Sequence, residues 1–256
     1  MKLKMKALAA AVALTVAGSA NAAIDTFGSG DGELFFSVRD NTNNTSFVLD
    51  LNVKLSDFIA NPTQSLSFGD MLSYVASSSG NLSWSVMAGD STGANVANGL
   101  RYLTTAAAGS DLLLGAVSNN TLQGWNIMDG DYLANVNGVL AGNSATSALG
   151  DNAYFTTTMD SWQNNSPVSA TAGLGDSQNF YLLANSASTI LPAGKTAKVN
   201  LNDFSNTPGN VWTLATDATG VTSLTYGAVP VPPAVWLLGS ALLGLVGVAR
   251  RKSQNV

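Results

Sequence analysis

Leu34, Phe36 and Val38 alternate with positions that face the other way, and Phe47, Leu49 and Leu51 repeat the alternation. Between them lies the polar run Asp40-Asn-Thr-Asn-Asn-Thr. A side-chain period of two marks a half-buried strand, so this stretch predicts a hairpin with its turn in the polar run. Leu82, Trp84 and Val86 predict another strand, ended by Gly89-Asp90. Further strand candidates are Leu112 to Val117, Phe180 to Leu183, Val199 to Leu201, Val211 to Leu214 and Leu224 to Tyr226. Gly, Asn, Asp and Ser clusters separate them, as expected of short strands joined by turns.

Two segments read as helical. Ser56 is placed to cap a short helix through Ile59 that stops before Pro62. Leu133, Val136, Val139 and Leu140 fall near helical spacing, which predicts a helix over Asp131 to Leu140 with Asp129 or Asp131 at its start. Gly138 runs against that helix. There is no internal repeat and no Gly-Ser run long enough to act as a linker. The expected fold is mainly β: an antiparallel β-sandwich with one or two short helices. A jelly-roll or an irregular two-sheet fold would give the same pattern.

Composition sharpens the picture at the ends of the chain. The sequence is 46% hydrophobic and only 11% charged, against about 25% charged for an average domain. Six of its 11 basic residues are terminal: Lys2, Lys4, Lys6, Arg250, Arg251 and Lys252. The stretch between them holds all 16 acidic residues and five basic ones, a net charge of −11. That balance argues against a nucleic-acid partner, whose phosphates need Lys and Arg. With no His and no Cys, the chain has no His-based general base, no Ser-His-Asp or Cys-His site, no ordinary zinc site and no disulfide.

Lys2, Lys4 and Lys6, the apolar run Ala7 to Ala17 and the small residues Ala20-Asn21-Ala22 have the order of a secretory signal peptide. Residues 1–22 are therefore expected to be removed, leaving a chain that starts at Ala23. At the other end, Ala234 to Ala249 is an apolar run of 16 residues, roughly 24 Å as a helix, slightly short of a hydrocarbon core. Pro233 suits the first turn of that helix, Trp236 an interface, and Gly239, Ser240, Gly244 and Gly247 one small-residue side. Arg250, Arg251 and Lys252 follow directly, which by the positive-inside rule leaves the middle domain, residues 23–228, outside the membrane.

The segment Val229 to Lys252 resembles the sorting signal of PEP-CTERM proteins, the substrates of exosortase. The resemblance is carried by Val229, Pro230, Pro232, Pro233, Trp236 and Gly239 within Val-Pro-Val-Pro-Pro-Ala-Val-Trp-Leu-Leu-Gly-Ser, then by Arg250, Arg251 and Lys252. It covers about a tenth of the chain. The tail departs from the family pattern in lacking the glutamate of Pro-Glu-Pro and looks like its Val-Pro-x-Pro variant. The resemblance implies an exosortase-like processing enzyme, transient membrane insertion, cleavage near the proline motif and a place at the cell surface in association with exopolysaccharide. A permanent single-pass anchor is the alternative reading of the same helix.

Within the middle domain the chemistry is sparse. Asp129-Gly130-Asp131 beside Trp125 is the best carboxylate pair, although Asp next to Gly is the ordinary makeup of a turn and helix cap. Asp31 and Glu33 in Gly28-Ser-Gly-Asp-Gly-Glu, with Asp129 and Asp131, are weak candidates for a structural Ca²⁺; none has EF-hand spacing. Gly28-Ser29-Gly30 lacks the residues of a phosphate loop. Trp84, Trp125, Trp162 and Trp212 are candidates for stacking on sugars, weighed against a place in the core, with Trp162 the least core-like. Arg101 is expected to make a structural salt bridge. The expectation is a non-enzymatic structural or adhesive surface protein. Its rivals are a carbohydrate-binding module and a carbohydrate-active enzyme using two carboxylates.

Overall fold

The computed structural model describes residues 23–26, 28, 30–69, 72–91, 99–156, 172–186 and 197–227. Both terminal segments of the sequence reading, including Ala20, Ala22 and the proline and basic residues of the tail, lie outside them. The predicted hairpin is present: β1 (Glu33–Asp40) pairs antiparallel with β2 (Thr45–Lys54), Val38 opposite Phe47 and Phe36 opposite Leu49. Asp40 builds its turn. One carboxylate oxygen accepts the N–H groups of Thr42 and Asn43, at 2.9 and 3.0 Å, and Ser79 donates its N–H and hydroxyl to the same side chain.

Then follow α1 (Leu55–Ala60), β3 (Leu66–Phe68), α2 (Leu72–Ser77), β4 (Leu82–Ser91) and β5 (Leu100–Ala106). Two helices, α3 (Asp111–Leu114) and α4 (Asn119–Asn137), precede β6 (Ser144–Ala148), β7 (Ser177–Ala184) and β8 (Asn200–Asp203). A 3-10 turn (Phe204–Asn206) leads to β9 (Trp212–Thr216) and β10 (Thr222–Tyr226). The fold is mainly β and antiparallel, a curled sheet of ten strands with four helices among the described residues. One hydrogen-bonded path runs β3-β10-β9-β7-β5-β4-β1-β2-β6.

The curl turns on a fork in β7. One edge of β7 pairs with β5 from Asn179 to Ala184. On the other edge, Ser177 and Gln178 pair with β9, while Tyr181 to Ala184 pair with β8. The arm β9-β10-β3 thereby folds over the sheet and encloses one core. Leu34, Phe36 and Val38 of β1 and Trp84 and Val86 of β4 pack there with Trp212, Leu214, Leu224 and Tyr226. Phe58 of α1 lies at its centre, its ring 5.0 Å from Phe180 and 5.1 Å from Tyr226. Such edge-to-face contacts add to area burial.

The opposite face of the same strands is covered by α4. Phe35, Met87, Tyr102, Tyr181 and Leu183 pack against Leu122, Trp125, Tyr132, Leu133 and Val136. Both faces of β1 are therefore buried along all eight residues, where the alternation alone predicted one wet face.

Several expectations are corrected. Leu112 to Val117 is not a strand: Asp111–Leu114 forms α3, leaving Leu112 exposed. β4 does not end at Gly89-Asp90 but runs through both, because Gly89 and Asp90 pair with Tyr102 and Arg101 of β5, and Arg101 Nε also reaches the buried Asp90 at 2.7 Å. This is the salt bridge expected of Arg101. The predicted helix over Asp131 to Leu140 begins a dozen residues earlier, capped by Ser118, whose hydroxyl accepts the Thr121 N–H at 3.1 Å. Asp129 and Asp131 thus lie inside α4 rather than at its start or in a turn. Ser56 does not cap α1; Lys54 holds that position, and Ser56 gives its N–H to Asp31 at 3.0 Å.

Candidate functional site

Asp31 and Glu33 lie where β1 begins, beside the first residues of the domain. Ile24 is buried in the α4-side core. The Asn137 side chain holds both its peptide groups, accepting the Ile24 N–H at 2.8 Å and donating to the Ile24 carbonyl at 3.0 Å. Glu33 accepts the Asp25 N–H at 2.8 Å, and the Glu33 N–H donates to the Asp25 carbonyl at 2.9 Å. Lys54 pairs with Asp25 and, at 3.2 Å, with Glu33. Its ammonium supplies the positive charge that these carboxylates require, at the place where a cation would be sought. Asp50 stands near. Burial pushes its carboxyl up to about 6 with help from the Glu33 charge, against a hydrogen bond from the Asn52 N–H.

The other two calcium candidates diverge. Asp131 faces solvent on α4, whereas Asp129 is buried against the sheet. Neighbours in sequence, they cannot serve one substrate as a carboxylate pair. No group of three or more acidic, His or Cys side chains among the described residues is arranged to hold a metal.

Asp129 belongs to a buried polar cluster over Gly89. A Cβ on Gly89 would stand 2.7 Å from Asn126 Oδ1 and 3.1 Å from Asp129 Oδ2, so only glycine lets these α4 side chains rest on β4. Gly32 is tighter still, its notional Cβ 1.9 Å from the Gly89 carbonyl oxygen. Burial pushes the Asp129 carboxyl up to about 8, outweighing the neighbouring Tyr102 hydroxyl and Gly89 N–H, which favour its charge. Asp129 Oδ1 and Asn126 Oδ1 are buried without a hydrogen-bond partner. The same burial, with the Asp129 charge beside it, pushes the Tyr102 phenol well up.

A second carboxylate pair escaped the sequence reading. Asp203, at the end of β8, caps the 3-10 turn through the Ser205 N–H at 2.8 Å, and its side chain bonds that of Asp111 on α3. Burial raises the Asp203 carboxyl, with the Asp111 charge adding to it. Tyr181 lies beside the pair and accepts from Asn179 Nδ2 at 3.2 Å. Asp111 and Asp203 stand far apart in sequence, and no local pattern could have joined them. Carboxyl groups in direct contact leave no room for a glycosidic oxygen, which needs about 5 Å or more between them.

Trp84, Trp125 and Trp212 are all buried in the two cores, which removes them as sugar-stacking platforms. Trp162 lies outside the described residues, as do Trp236 and the rest of the sorting motif from Val229 to Lys252. No described helix is long and apolar enough to cross a membrane. No family model matches the chain, and no curated protein or solved structure matches it either.

Proposed function

We propose that this is an exported protein, sorted at the membrane by an exosortase-like enzyme, with a structural or adhesive role at the cell surface or in the matrix alongside exopolysaccharide. The observation that carries the reading is the tail: a proline motif, an apolar run containing Trp-Leu-Leu-Gly-Ser and an Arg-Arg-Lys cluster in that order. The fold is compatible with losing both ends. Its core begins at Ile24, two residues past Ala22, and its last strand ends at Tyr226, three residues before Val229. A single curled antiparallel sheet with a packed core on each face suits a passive structural module.

The test is the intact mass of the native protein recovered from cell envelope and from medium. A species running from Ala23 to the Val229–Pro233 motif, with or without added mass, is the expected result. A mature species that retains Ala234 to Val256 would overturn sorting by cleavage and make the helix a lasting anchor.

A further inference from the structure

Beyond the sorting signal, the domain has a groove where β6 ends the sheet. It encloses about 470 Å³ between the C-terminal half of α4, β6 and the loop after it. Ala134 and Asn135 of α4, with Val139 just past its end, form one wall, and Thr146, Asp151 and Asn152 the other. Such a volume is ordinary for a small-ligand site.

The ladder sets what faces this groove. Leu149 N–H donates to the Asn44 carbonyl at 2.9 Å, and Asp50 N–H to the Asn143 carbonyl at 2.8 Å. In an antiparallel pair the bonded positions alternate. The odd-numbered residues of β6 therefore bond β2, while Ser144, Thr146 and Ala148 turn their peptide groups outward. Two of these are sealed at the flanks. The Ser144 carbonyl accepts Ala141 N–H at 2.9 Å. Asp151 covers Ala148, its carboxylate accepting that N–H at 2.8 Å and its own N–H donating to that carbonyl at 3.0 Å. Thr146, in the middle, presents its N–H and C=O towards the groove.

The chemistry of the walls selects a ligand class. No Lys or Arg lines the groove, so nothing there favours an anion. Its one carboxylate is already committed to Ala148, which leaves too little charge for a cation. No aromatic ring and only short apolar side chains line it, a poor fit for a lipid chain. The sealed flanks leave one residue of free ladder, too short to add a peptide strand. What remains is a set of uncharged donors and acceptors: the Thr146 peptide, the Asn152 amide, and the Asn135 side-chain oxygen, whose Nδ2 is turned to the Asp131 carbonyl at 2.8 Å. Hydroxyl groups, each donor and acceptor at once, match such a set.

We propose that this groove binds a neutral saccharide unit. The inference takes from the reading above only the kind of partner, and gives it a place on the domain. The test uses the native protein and four probes, the trisaccharides of glucose, galactose, mannose and N-acetylglucosamine, in saturation-transfer NMR. At least one probe should bind, and binding should slow hydrogen exchange at the Thr146 amide. Ala134→Leu, which fills the groove from an exposed position, and Asn152→Ala should each weaken binding by about tenfold, with circular dichroism unchanged. Absence of transfer to all four probes would overturn the proposal. Binding that neither substitution weakens would overturn it too, by placing the site elsewhere. Neither result touches the mass measurement, so failure of the groove and failure of the sorting reading are told apart.

Discussion

Asp129 offers the sharpest physical test of the fold, through Asp129→Asn. The carboxyl stands at about 8 in the folded chain because burial disfavours its charge, against about 3.9 when unfolded. Between those values the folded state keeps a proton that the unfolded state has lost. Stability attributable to this group is therefore fully present below about pH 4 and falls as pH rises to about 8. Beyond that both states are ionised and the loss is complete. The slope for one proton is about 1.4 kcal/mol per pH unit, so the accumulated cost is on the order of 5 kcal/mol. That is a large part of a typical domain's stability.

Asparagine keeps the shape and cannot ionise. Its amide can donate toward the unpaired Asn126 oxygen. The assay is urea unfolding between pH 4 and 9, followed by Trp fluorescence. Trp125 is a local reporter, its ring 6.0 Å from Tyr102 in the same core. Asp50, also raised, imposes its own slope up to about pH 6, and Asp40 acts in acid. Both are present in either chain, so the difference isolates Asp129. The two proteins should agree at pH 4 within about 1 kcal/mol, and the variant should be more stable by several kcal/mol at pH 9. Parallel curves across the range would refute the reasoning.

Gly89→Ala should cost about 1 to 3 kcal/mol by driving a methyl into Asn126 Oδ1, and Asn126→Ala in the same chain should recover part of it in a double-mutant cycle of chemical unfolding. Asp40→Ala should cost about 3 kcal/mol at neutral pH, since it strips the charged acceptor from Thr42, Asn43 and Ser79. Burial alone would raise the Asp40 carboxyl, but these hydrogen bonds outweigh it and hold the group well below the usual range. Its contribution is therefore present above about pH 4 and lost as pH falls further, and acid unfolding of the variant should show a correspondingly flatter limb. Asn137→Ala should cost about 1 to 3 kcal/mol by leaving the buried peptide groups of Ile24 unpaired, read as a lower urea midpoint at unchanged m-value.

Much of the sheet was legible because its signals are local. Alternation at Leu34 to Val38 and Phe47 to Leu51 is a property of neighbouring residues, and the Asp40 turn lies between them. The start of α4 was missed for a physical reason. Its buried face runs Leu122, Trp125, Asn126, Asp129, Tyr132, Leu133 and Val136, so two polar residues interrupt the apolar stripe. Gly124 and Gly130 dilute it further. Those same polar residues are the buried cluster, and nothing nearby in sequence announces Gly89 as the surface that receives them. β5 and β6 were overlooked for a related reason: Thr104, Thr105 and Ser147 are buried although their composition reads as loop. The Asp111–Asp203 contact and the Thr146 groove exist only once distant strands are assembled.

The way the domain closes bears on the order in which it can fold. Ile24 is pinned by Asn137, 113 residues away. At the other end the Tyr226 hydroxyl donates to the Pro62 carbonyl across 164 residues, and β10 pairs with β3. Each core is thus completed by one extremity of the domain: the α4 side by Ile24, the opposite side by Trp212, Leu224 and Tyr226. Contacts of such separation are rewarded only after the loops between them have closed. A chain that emerges from its N-terminus lacks β9 and β10 until last, and until then Phe36, Trp84 and Phe180 lack the cover of Trp212, Leu214, Leu224 and Tyr226. The order of events follows. On the export route proposed above, translocation of the whole stretch to Tyr226 would therefore precede formation of the second core.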